Sequence, residues 1–153
     1  VQAVPLLTLD EVAVLPAGHA LAAQAVLQVQ DFANQPFVSL SADDPYRRQI
    51  DARFAEAGVA RQLHLQTHSA VAVCAMVQQG LGLAIVNPLT ALAMAGSGLV
   101  VRRLGFSVPF SINALLPLYR PALPEAQPLL QSLEAQAQEV TAALQRLLSQ
   151  PAN

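Results

Sequence analysis

The sequence contains no lysine, and all eight of its basic residues are arginine. No basic run is longer than the pairs Arg47-Arg48 and Arg102-Arg103, and the formal net charge is −2. Proteins that bind nucleic acids obtain much of their affinity by neutralising phosphates. This chain has too little positive charge to bind DNA or RNA by itself, so any DNA contact is expected to come from another domain.

Cysteine is also scarce, since Cys74 is the only one in the sequence. A single cysteine excludes an internal disulfide and is typical of a reducing compartment, so we expect a cytoplasmic protein. His19, His64 and His68 lack the spacing of metal ligands, and one cysteine is too few for the usual zinc sites. Cys74 falls on the apolar face of a predicted helix, which predicts a buried thiol rather than a nucleophile. We expect no metal and no cofactor.

Long hydrophobic runs are absent, although 54% of the residues are hydrophobic. Much of that fraction is alanine, and no stretch of about 18 apolar residues runs without a break, so no membrane-spanning helix is expected. The first five residues lack the basic flank of a signal peptide. We therefore expect neither secretion nor a membrane partner.

The motifs of common catalytic sites are missing as well. There is no Gly-x-Ser-x-Gly turn, no Walker loop and no zinc-protease motif. Gly80-Leu81-Gly82 stands between a helix and a strand, so it predicts a helix end and tight packing rather than a dinucleotide loop. Asp43 and Asp44 are interpreted as helix-cap and dipole partners, while Arg47 and Arg48 either hold a carboxylate or are solvated. We expect that the chain is not an enzyme.

Short apolar runs alternate with helical patterns along the 153 residues. Strands separated by helices of this length predict an α/β fold with a parallel sheet. The expected strands cover residues 11–15, 36–40, 62–66, 81–86, 99–104 and 109–118. The expected helices cover residues 31–35, 44–57, 69–79, 88–94 and 124–149.

Three of the predicted strands end in polar residues that open a helix. These ends lie at residues 39–45, 67–69 and 87–88. Open α/β sheets bind ligands at the carboxyl edge of their parallel strands, and helix N-termini favour anions such as carboxylates. Serine, threonine, aspartate and asparagine are also the ordinary helix caps. These segments alone therefore fit both a ligand site and plain capping.

Several segments match the motifs of one known protein family. Val14-Leu15-Pro16-x-Gly-His19-x-Leu21-Ala22 resembles the LP-x-x-HPLA segment of LysR-type transcriptional regulators, although Ala20 replaces the usual proline. Thr67-x-Ser69, with the later block at residues 76–88, resembles the family's Gly-x-Gly strand motif. The stretches at residues 39–51 and 73–77 are most similar to the branch of opine-catabolism and amino-acid-responsive regulators. The resemblance covers residues 6–128 in order and spacing.

The resemblance implies an effector-binding domain with a type 2 periplasmic-binding-protein-like fold, in which two α/β lobes flank a cleft. Residues 1–16 would be part of the first lobe with a crossing strand, and residues 17–105 a complete, Rossmann-like second lobe. Residues 106–153 would supply the returning strand and the C-terminal helix of the first lobe. Val12–Pro16 and Pro109–Leu116 are the expected crossing segments. The family's DNA-binding helix-turn-helix and the opening part of its first lobe do not occur in this sequence.

An incomplete first lobe predicts an exposed apolar surface around Val12, Val14, Ile112 and the long helix. Such a surface is expected to pair with another chain in a homodimer or tetramer.

The resemblance also assigns a binding site for a small polar effector that we expect to carry a carboxylate, such as an amino acid or an opine-like conjugate. Ser39 and Ser41 match the family's first ligand loop in the second lobe, and Thr67 and Ser69 match its second. We add His68 and Asn87 because they lie at the same predicted strand ends. Effector binding would change the closure of the lobes and so modulate DNA binding by the separate helix-turn-helix domain.

Two other functions fit parts of the pattern. A free-standing periplasmic-type solute-binding protein would need a secretion signal upstream of Val1. A small α/β enzyme would need a nucleophile and a base, which the sequence does not place together.

Overall fold

The computed structural model describes residues 1–119, 121 and 123–151, and it confirms the α/β class. Over these residues the chain forms eight strands and four α-helices. The strands are β1 (Gln2–Asp10), β2 (Val12–Pro16), β3 (Val26–Leu27), β4 (Pro36–Leu40), β5 (Gln62–Thr67), β6 (Ala84–Val86), β7 (Leu99–Leu104) and β8 (Pro109–Leu116). The helices are α1 (Pro45–Ala57), α2 (Ala70–Gln78), α3 (Pro88–Met94) and α4 (Ala126–Leu148).

Most of the strands form one central layer. β3, β7, β2 and β6 are hydrogen-bonded in that order, and β4 pairs with β5 in parallel. The two groups are joined where Val38 N donates to Leu83 O at 2.8 Å and Leu83 N donates to Pro36 O at 2.9 Å. β2 runs antiparallel to both β6 and β7, whereas the other five strands share one direction. The expected parallel sheet is confirmed except for β2.

The carboxyl ends of β4, β5 and β6 each lead into a helix. α1 begins after Asp44 and ends at Gly58, which has a φ of 65°, as the Asp-Pro and Gly signals predicted. Ser69 precedes α2 and Asn87 precedes α3. This arrangement puts three helix N-termini at one edge of the sheet.

Gly82 marks a close approach between the end of α2 and β4. A Cβ at this position would lie 2.7 Å from the Pro36 carbonyl oxygen, and the φ of 152° disfavours other residues. The tight packing predicted for Gly80-Leu81-Gly82 is therefore confirmed. The expected strand at 81–86 is shorter, since Leu81 is 46% exposed and only Leu83 and β6 join the sheet.

The core lies on both faces of the central layer. α1 covers one face through Ile50 and Phe54, and Ala57, expected on the same face, is exposed at the helix end. α2 covers the other face, and its buried residues are Val73, Cys74 and Val77. Val71 was expected in this register and is 55% exposed, because the sheet meets the helix on the Val73 and Val77 side.

The Cys74 thiol is fully buried, as expected, and burial raises its pKa to about 11. A thiol that stays protonated under physiological conditions is a poor nucleophile, because the thiolate is the reactive form. Cys74 is therefore a structural residue of the core.

β1 and β8 form a separate antiparallel ribbon, whose register runs from Gln2 opposite Leu116 to Asp10 opposite Pro109. Val12–Pro16 was expected to be one of the two segments that cross between the lobes, and this is wrong. β2 lies inside the central sheet, and β1 is the partner of β8. The expected exposure of Val12 and Val14 is wrong for the same reason, since β6 and β7 flank β2 and leave these side chains 3% and 0% exposed.

The remaining differences concern short elements and ends. Residues 31–35 were expected to be helical, and the structure has a 3-10 helix over Val29–Phe32 instead. β5 is an edge strand on which Leu63 and Leu65 are 39% and 37% exposed. α4 packs on β1, α3 and β7, but Leu129 is 59% exposed. The long helix therefore leaves part of its apolar face in solvent, as expected.

Candidate functional site

Two of the polar strand ends meet side by side. Leu40 and Thr67 are paired at the ends of β4 and β5, and Ser41 N donates to Thr67 O at 3.0 Å. Ser41 Oγ lies 2.8 Å from His68 Nδ1. The structure thus brings Ser41, Thr67, His68 and Ser69 together, as the strand-end argument predicted. We call Ser41, Thr67, His68, Ser69 and Asn87 the binding edge.

The third strand end lies on the other side of β4, because β6 and β5 flank that strand. Asn87 Oδ1 accepts from Thr90 N at 2.8 Å and so caps α3. Asn87 is half-buried. Its place at the edge agrees with the prediction, while its side-chain oxygen already has a capping role.

The other two helix N-termini are capped as well. Asp44 Oδ1 accepts from Tyr46 N at 2.8 Å and from Arg47 N at 3.1 Å. Ser69 Oγ accepts from Ala72 N at 3.3 Å, and Thr67 Oγ1 accepts from Ser69 N at 3.4 Å. In these caps the Ser69 and Thr67 oxygens accept, so their hydroxyl hydrogens can still be donated to an anion.

Exposure separates the predicted residues. His68 and Ser69 are exposed, and Ser41 and Thr67 are half-buried. Ser39 is only 3% exposed and stands in β4 opposite Gln66 of β5. Ser39 is therefore covered by the surrounding residues, whereas the binding edge faces outward.

Asp43 extends the polar chain beyond Ser41. A hydrogen bond from the Ser41 side chain, followed by one from the Asp43 backbone, holds the pKa of Asp43 below its usual range. A serine hydroxyl has one hydrogen, so while it is donated to Asp43 the His68 Nδ1–H is the donor to Ser41 Oγ. In catalytic triads the carboxylate orients the histidine instead. This arrangement does not activate Ser41 as a nucleophile.

Arg47 was one of two arginines considered as carboxylate ligands. Its side chain is buried, and Nε donates to both carboxylate oxygens of Asp51 at 2.9 Å. Arg47 Nη1 also donates to Leu40 O at 2.8 Å. Arg61 contacts the same Asp51 carboxylate, and its guanidinium lies 4.1 Å from the centre of the Phe54 ring. Arg47 is therefore engaged in holding the end of β4.

Arg48, the second of these arginines, stands on the exposed side of α1. Its Nη2 donates to Asp43 O at 2.9 Å. This bond fixes the turn after Ser41 and leaves the guanidinium in solvent.

Glu11 is a buried acid that sequence reasoning interpreted only as the start of a strand. It lies between β1 and β2 and is 1% exposed, and among the described residues Oε2 has no hydrogen-bond partner. Burial, with a smaller contribution from Asp44, raises the pKa of Glu11 to about 8. The position of Glu11 directly before an apolar strand was the only sequence feature that could have indicated a buried acid. A glutamate at the end of a strand is usually exposed to solvent, so this feature did not predict burial.

Other types of site receive no support from the described part of the chain. Within it, no three His, Cys, Asp or Glu side chains come together in a group that could hold a metal. None of its helices is both long enough and apolar enough to cross a membrane. An apolar cavity of about 150 Å³ between β1, β8 and α4 contains none of the six predicted site residues.

The family expected from the sequence can be compared with known protein families directly. The family described as LysR substrate binding domain matches residues 1–138. The chain belongs to this family. LysR substrate-binding domains have the type 2 periplasmic-binding-protein-like α/β fold, so this expectation is confirmed. The expectation that the chain is not an enzyme is also confirmed, because the relatives are transcriptional regulators.

Two curated relatives show the extent of the similarity. The transcriptional activator protein LysR of Escherichia coli strain K12 is 46% identical over 144 residues, which are 94% of this chain and 46% of that protein. The regulatory protein NocR of Agrobacterium tumefaciens strain T37 is 27% identical over 117 residues, covering 76% of this chain and 39% of NocR. The chain therefore spans less than half the length of each of these two relatives.

A solved structure shows the same fold at low identity. The regulatory domain of CcmR from Synechocystis PCC6803, solved in complex with 2-PG, superposes with a TM-score of 0.73 at 17% identity. The match covers 89% of this chain and 66% of the CcmR chain. This similarity concerns the fold alone.

Proposed function

We propose that this chain is the effector-binding sensory part of a LysR-type transcriptional regulator, and that it binds a small polar metabolite carrying a carboxylate. The observation that carries the proposal is the junction of two strand ends, where Ser41 N donates to Thr67 O and Ser41 Oγ contacts His68 Nδ1. This junction brings the Thr67 and Ser69 hydroxyls together beside the N-terminus of α2, which begins after Ser69.

A carboxylate suits this edge for electrostatic reasons. The N-terminus of a helix carries a partial positive charge, and its first N–H groups are good anion donors. Thr67 and Ser69 can add hydroxyl donors. We propose that Asn87 is a neighbouring contact of the ligand. The buried Ser39 would support Ser41 from within β4.

An amino acid or an opine-like conjugate is our proposed effector class. Its support is the resemblance of residues 39–51 and 73–77 to the opine- and amino-acid-responsive branch. A structurally similar domain, that of CcmR, was solved with a small molecule bound.

The regulatory mechanism follows from two lobes that share one ligand. We propose that residues 17–105 together with β2 form one lobe, and that residues 1–10 and 106–153 belong to the other, with the effector between them. A ligand shifts such an equilibrium only by its differential affinity for the closed and open states. The shift would reach DNA through a helix-turn-helix domain outside this chain, in a cytoplasmic oligomer whose contacts include the exposed apolar part of α4.

Calorimetric titration of the full-length protein with a panel of amino acids and opines tests the proposal. Thr67→Ala should weaken binding of a carboxylate ligand about 3- to 10-fold, since one hydrogen bond contributes roughly 0.5–1.5 kcal/mol. Ser41→Ala should weaken it as well, because the Ser41 hydroxyl holds His68 at the junction of the two strand ends. Ser132→Ala is the matched control, because Ser132 is an exposed serine on α4 whose hydroxyl donates to Pro128 O. Unchanged binding in both site variants would rule out the binding edge as the carboxylate site.

A further inference from the structure

Glu11 lies at the same edge of the sheet as the binding edge. Val12 pairs with Val86 in the antiparallel register of β2 and β6, so Glu11 stands level with Asn87. Glu11 N donates to Val108 O at 2.9 Å, which fixes the backbone between the β1–β8 ribbon and the central sheet. The residue is therefore located where the proposed lobes join, at the base of the cleft.

The Glu11 side chain lies on the face of the sheet that α1 covers. Side chains alternate along a strand, so Glu11 shares a face with Ala13 and Leu15. These two residues pack in the cluster that includes Ile50 and Phe54 of α1. The Glu11 carboxyl is thus placed between the carboxyl end of β6 and the N-terminus of α1.

No cation of the described chain compensates this carboxyl, since Oε2 has no hydrogen-bond partner and Arg103, which lines a cavity together with Glu11, forms no ion pair with it. The charged group that faces it from α1 is Asp44, another acid. Arg47, also at the start of α1, is engaged with Asp51 and Leu40 O. Asp10, the preceding residue, accepts from Ser107 Oγ at 2.6 Å. A buried carboxyl without a compensating partner lowers the stability of the folded protein and is uncommon in protein cores.

We propose that Glu11 binds a cationic nitrogen group of the effector, so that the ligand is a zwitterion with its carboxylate on the binding edge and its ammonium group on Glu11. This inference rests on the proposed function, because it assumes that the effector occupies the cleft. An ammonium offers three hydrogen-bond donors, which match the unpartnered Oε2 of Glu11 and the neighbouring Asp44. Glu11 would then select amino acids over carboxylic acids that lack an amine.

Binding of an ammonium group should also change the protonation of the Glu11 carboxyl. With the raised pKa of about 8, Glu11 is mostly protonated at pH 7 in the empty protein. A bound ammonium favours the ionised carboxylate, because an opposite charge at close range lowers an acid's pKa. Binding of an amine-bearing ligand at pH 7 should therefore release up to about one proton.

The experiment is calorimetric titration of the full-length protein with matched probes. L-glutamate and glutarate differ by the α-ammonium group. L-lysine, L-norleucine and 6-aminohexanoate separate the α-ammonium from the side-chain ammonium. Each probe is titrated at pH 7 into wild type, Glu11→Gln and the control Glu134→Gln, which changes an exposed acid on α4. Gln reproduces the size of the neutral acid, so Glu11→Gln should fold.

At least one amine-bearing probe should bind wild type more tightly than its amine-free partner. Glu11→Gln should lower that affinity at least 10-fold and leave glutarate binding within about twofold, while Glu134→Gln changes neither. Repeating the wild-type titration in phosphate and in Tris measures proton release without any variant.

Three outcomes would overturn the proposal: amine-bearing probes that do not bind, probes that bind no better than glutarate, or Glu11→Gln with unchanged affinity and proton release. Failure of the proposed function is distinguishable, because it appears as glutarate binding that Thr67→Ala and Ser41→Ala leave unchanged.

Discussion

Ser41 Oγ and His68 Nδ1 lie 2.8 Å apart although 27 residues separate them in the chain. The contact exists because β4 and β5 are adjacent and parallel, so that both strands end at the same edge. The Ser41 side chain also lowers the pKa of Asp43 through a hydrogen bond. Ser41 therefore links the turn after β4 to the turn after β5.

The Ser41 hydroxyl should control the titration of Asp43. In Ser41→Ala the pKa of Asp43 should rise towards its ordinary value of 3.8, because the main hydrogen bond that stabilises the carboxylate is lost. Titration of the carboxyl carbon by NMR between pH 2 and 6 measures the change, with Ser132→Ala as the control. An unchanged Asp43 titration would show that Ser41 does not donate to it.

Glu11 should make the protein less stable as the pH rises. Its pKa is about 8 in the folded protein and 4.5 ordinarily, so above pH 4.5 the unfolded chain loses a proton that the folded protein keeps. Stability is then lost between pH 4.5 and about 8, by up to about 4 to 5 kcal/mol for this group. Glu11→Gln should remove this part of the pH dependence and be more stable than wild type at pH 8.

Urea denaturation of both proteins at several pH values between 4.5 and 8.5 provides the measurement. Glu134→Gln serves as the control for a lost exposed acid. Parallel stability curves for wild type and Glu11→Gln would contradict the expected burial of a neutral acid.

The Asp51 carboxylate should hold two arginines in place. Arg47 and Arg61 both contact it, and their side chains are each only 6% exposed while Asp51 is 41% exposed. Asp51→Asn should cost roughly 1–3 kcal/mol, because it leaves two poorly solvated cations with a neutral partner. Glu56→Gln disrupts the exposed pair with Arg53 and should cost less than about 1 kcal/mol.

Denaturant unfolding of the Asp51 and Glu56 variants measures this difference. Equal, small losses of stability in the two variants would mean that the cluster around Asp51 behaves like an ordinary surface ion pair.

Gly82 should not tolerate a side chain. In Gly82→Ala the new Cβ would meet the Pro36 carbonyl oxygen at 2.7 Å, and the positive φ adds backbone strain. We expect a loss of at least about 2 kcal/mol, because the contact is with backbone that must move. Gly18→Ala, where nothing lies within 4 Å of the added Cβ, should stay close to wild type.

Thermal unfolding compares the two glycine variants directly. A Gly82→Ala protein as stable as Gly18→Ala would show that β4 and the segment after α2 can move apart with little loss of stability.

Helix boundaries were the features that local sequence determined best. Asp44-Pro45 and Gly58 bound α1, and Asn87-Pro88 begins α3, because caps, prolines and left-handed glycines act within one turn of the chain. The strand expected at residues 81–86 was predicted for a similar reason, since a continuous apolar run is typical of a strand buried on both faces, and the structure confirms it over Ala84–Val86.

Strand order and direction required the tertiary structure. Val12–Pro16 has the pattern of any buried strand. No local feature of the sequence indicates that it runs antiparallel between β6 and β7, or that β1 pairs with β8. The accessible faces of α2 and α4 depend on the same packing, as the exposed Val71 and Leu129 show.

The sequence by itself determined the family, the α/β class and the polar strand ends at Ser41, Thr67 and Ser69, since motifs and caps are local in the chain. Only the tertiary structure decided that Ser41 meets His68, that Ser39 is covered, and that Glu11 is buried beside Asp44 without a cation. Those relationships depend on which distant segments share an edge of the sheet, and their electrostatic consequences depend on exclusion of water, which no local pattern records.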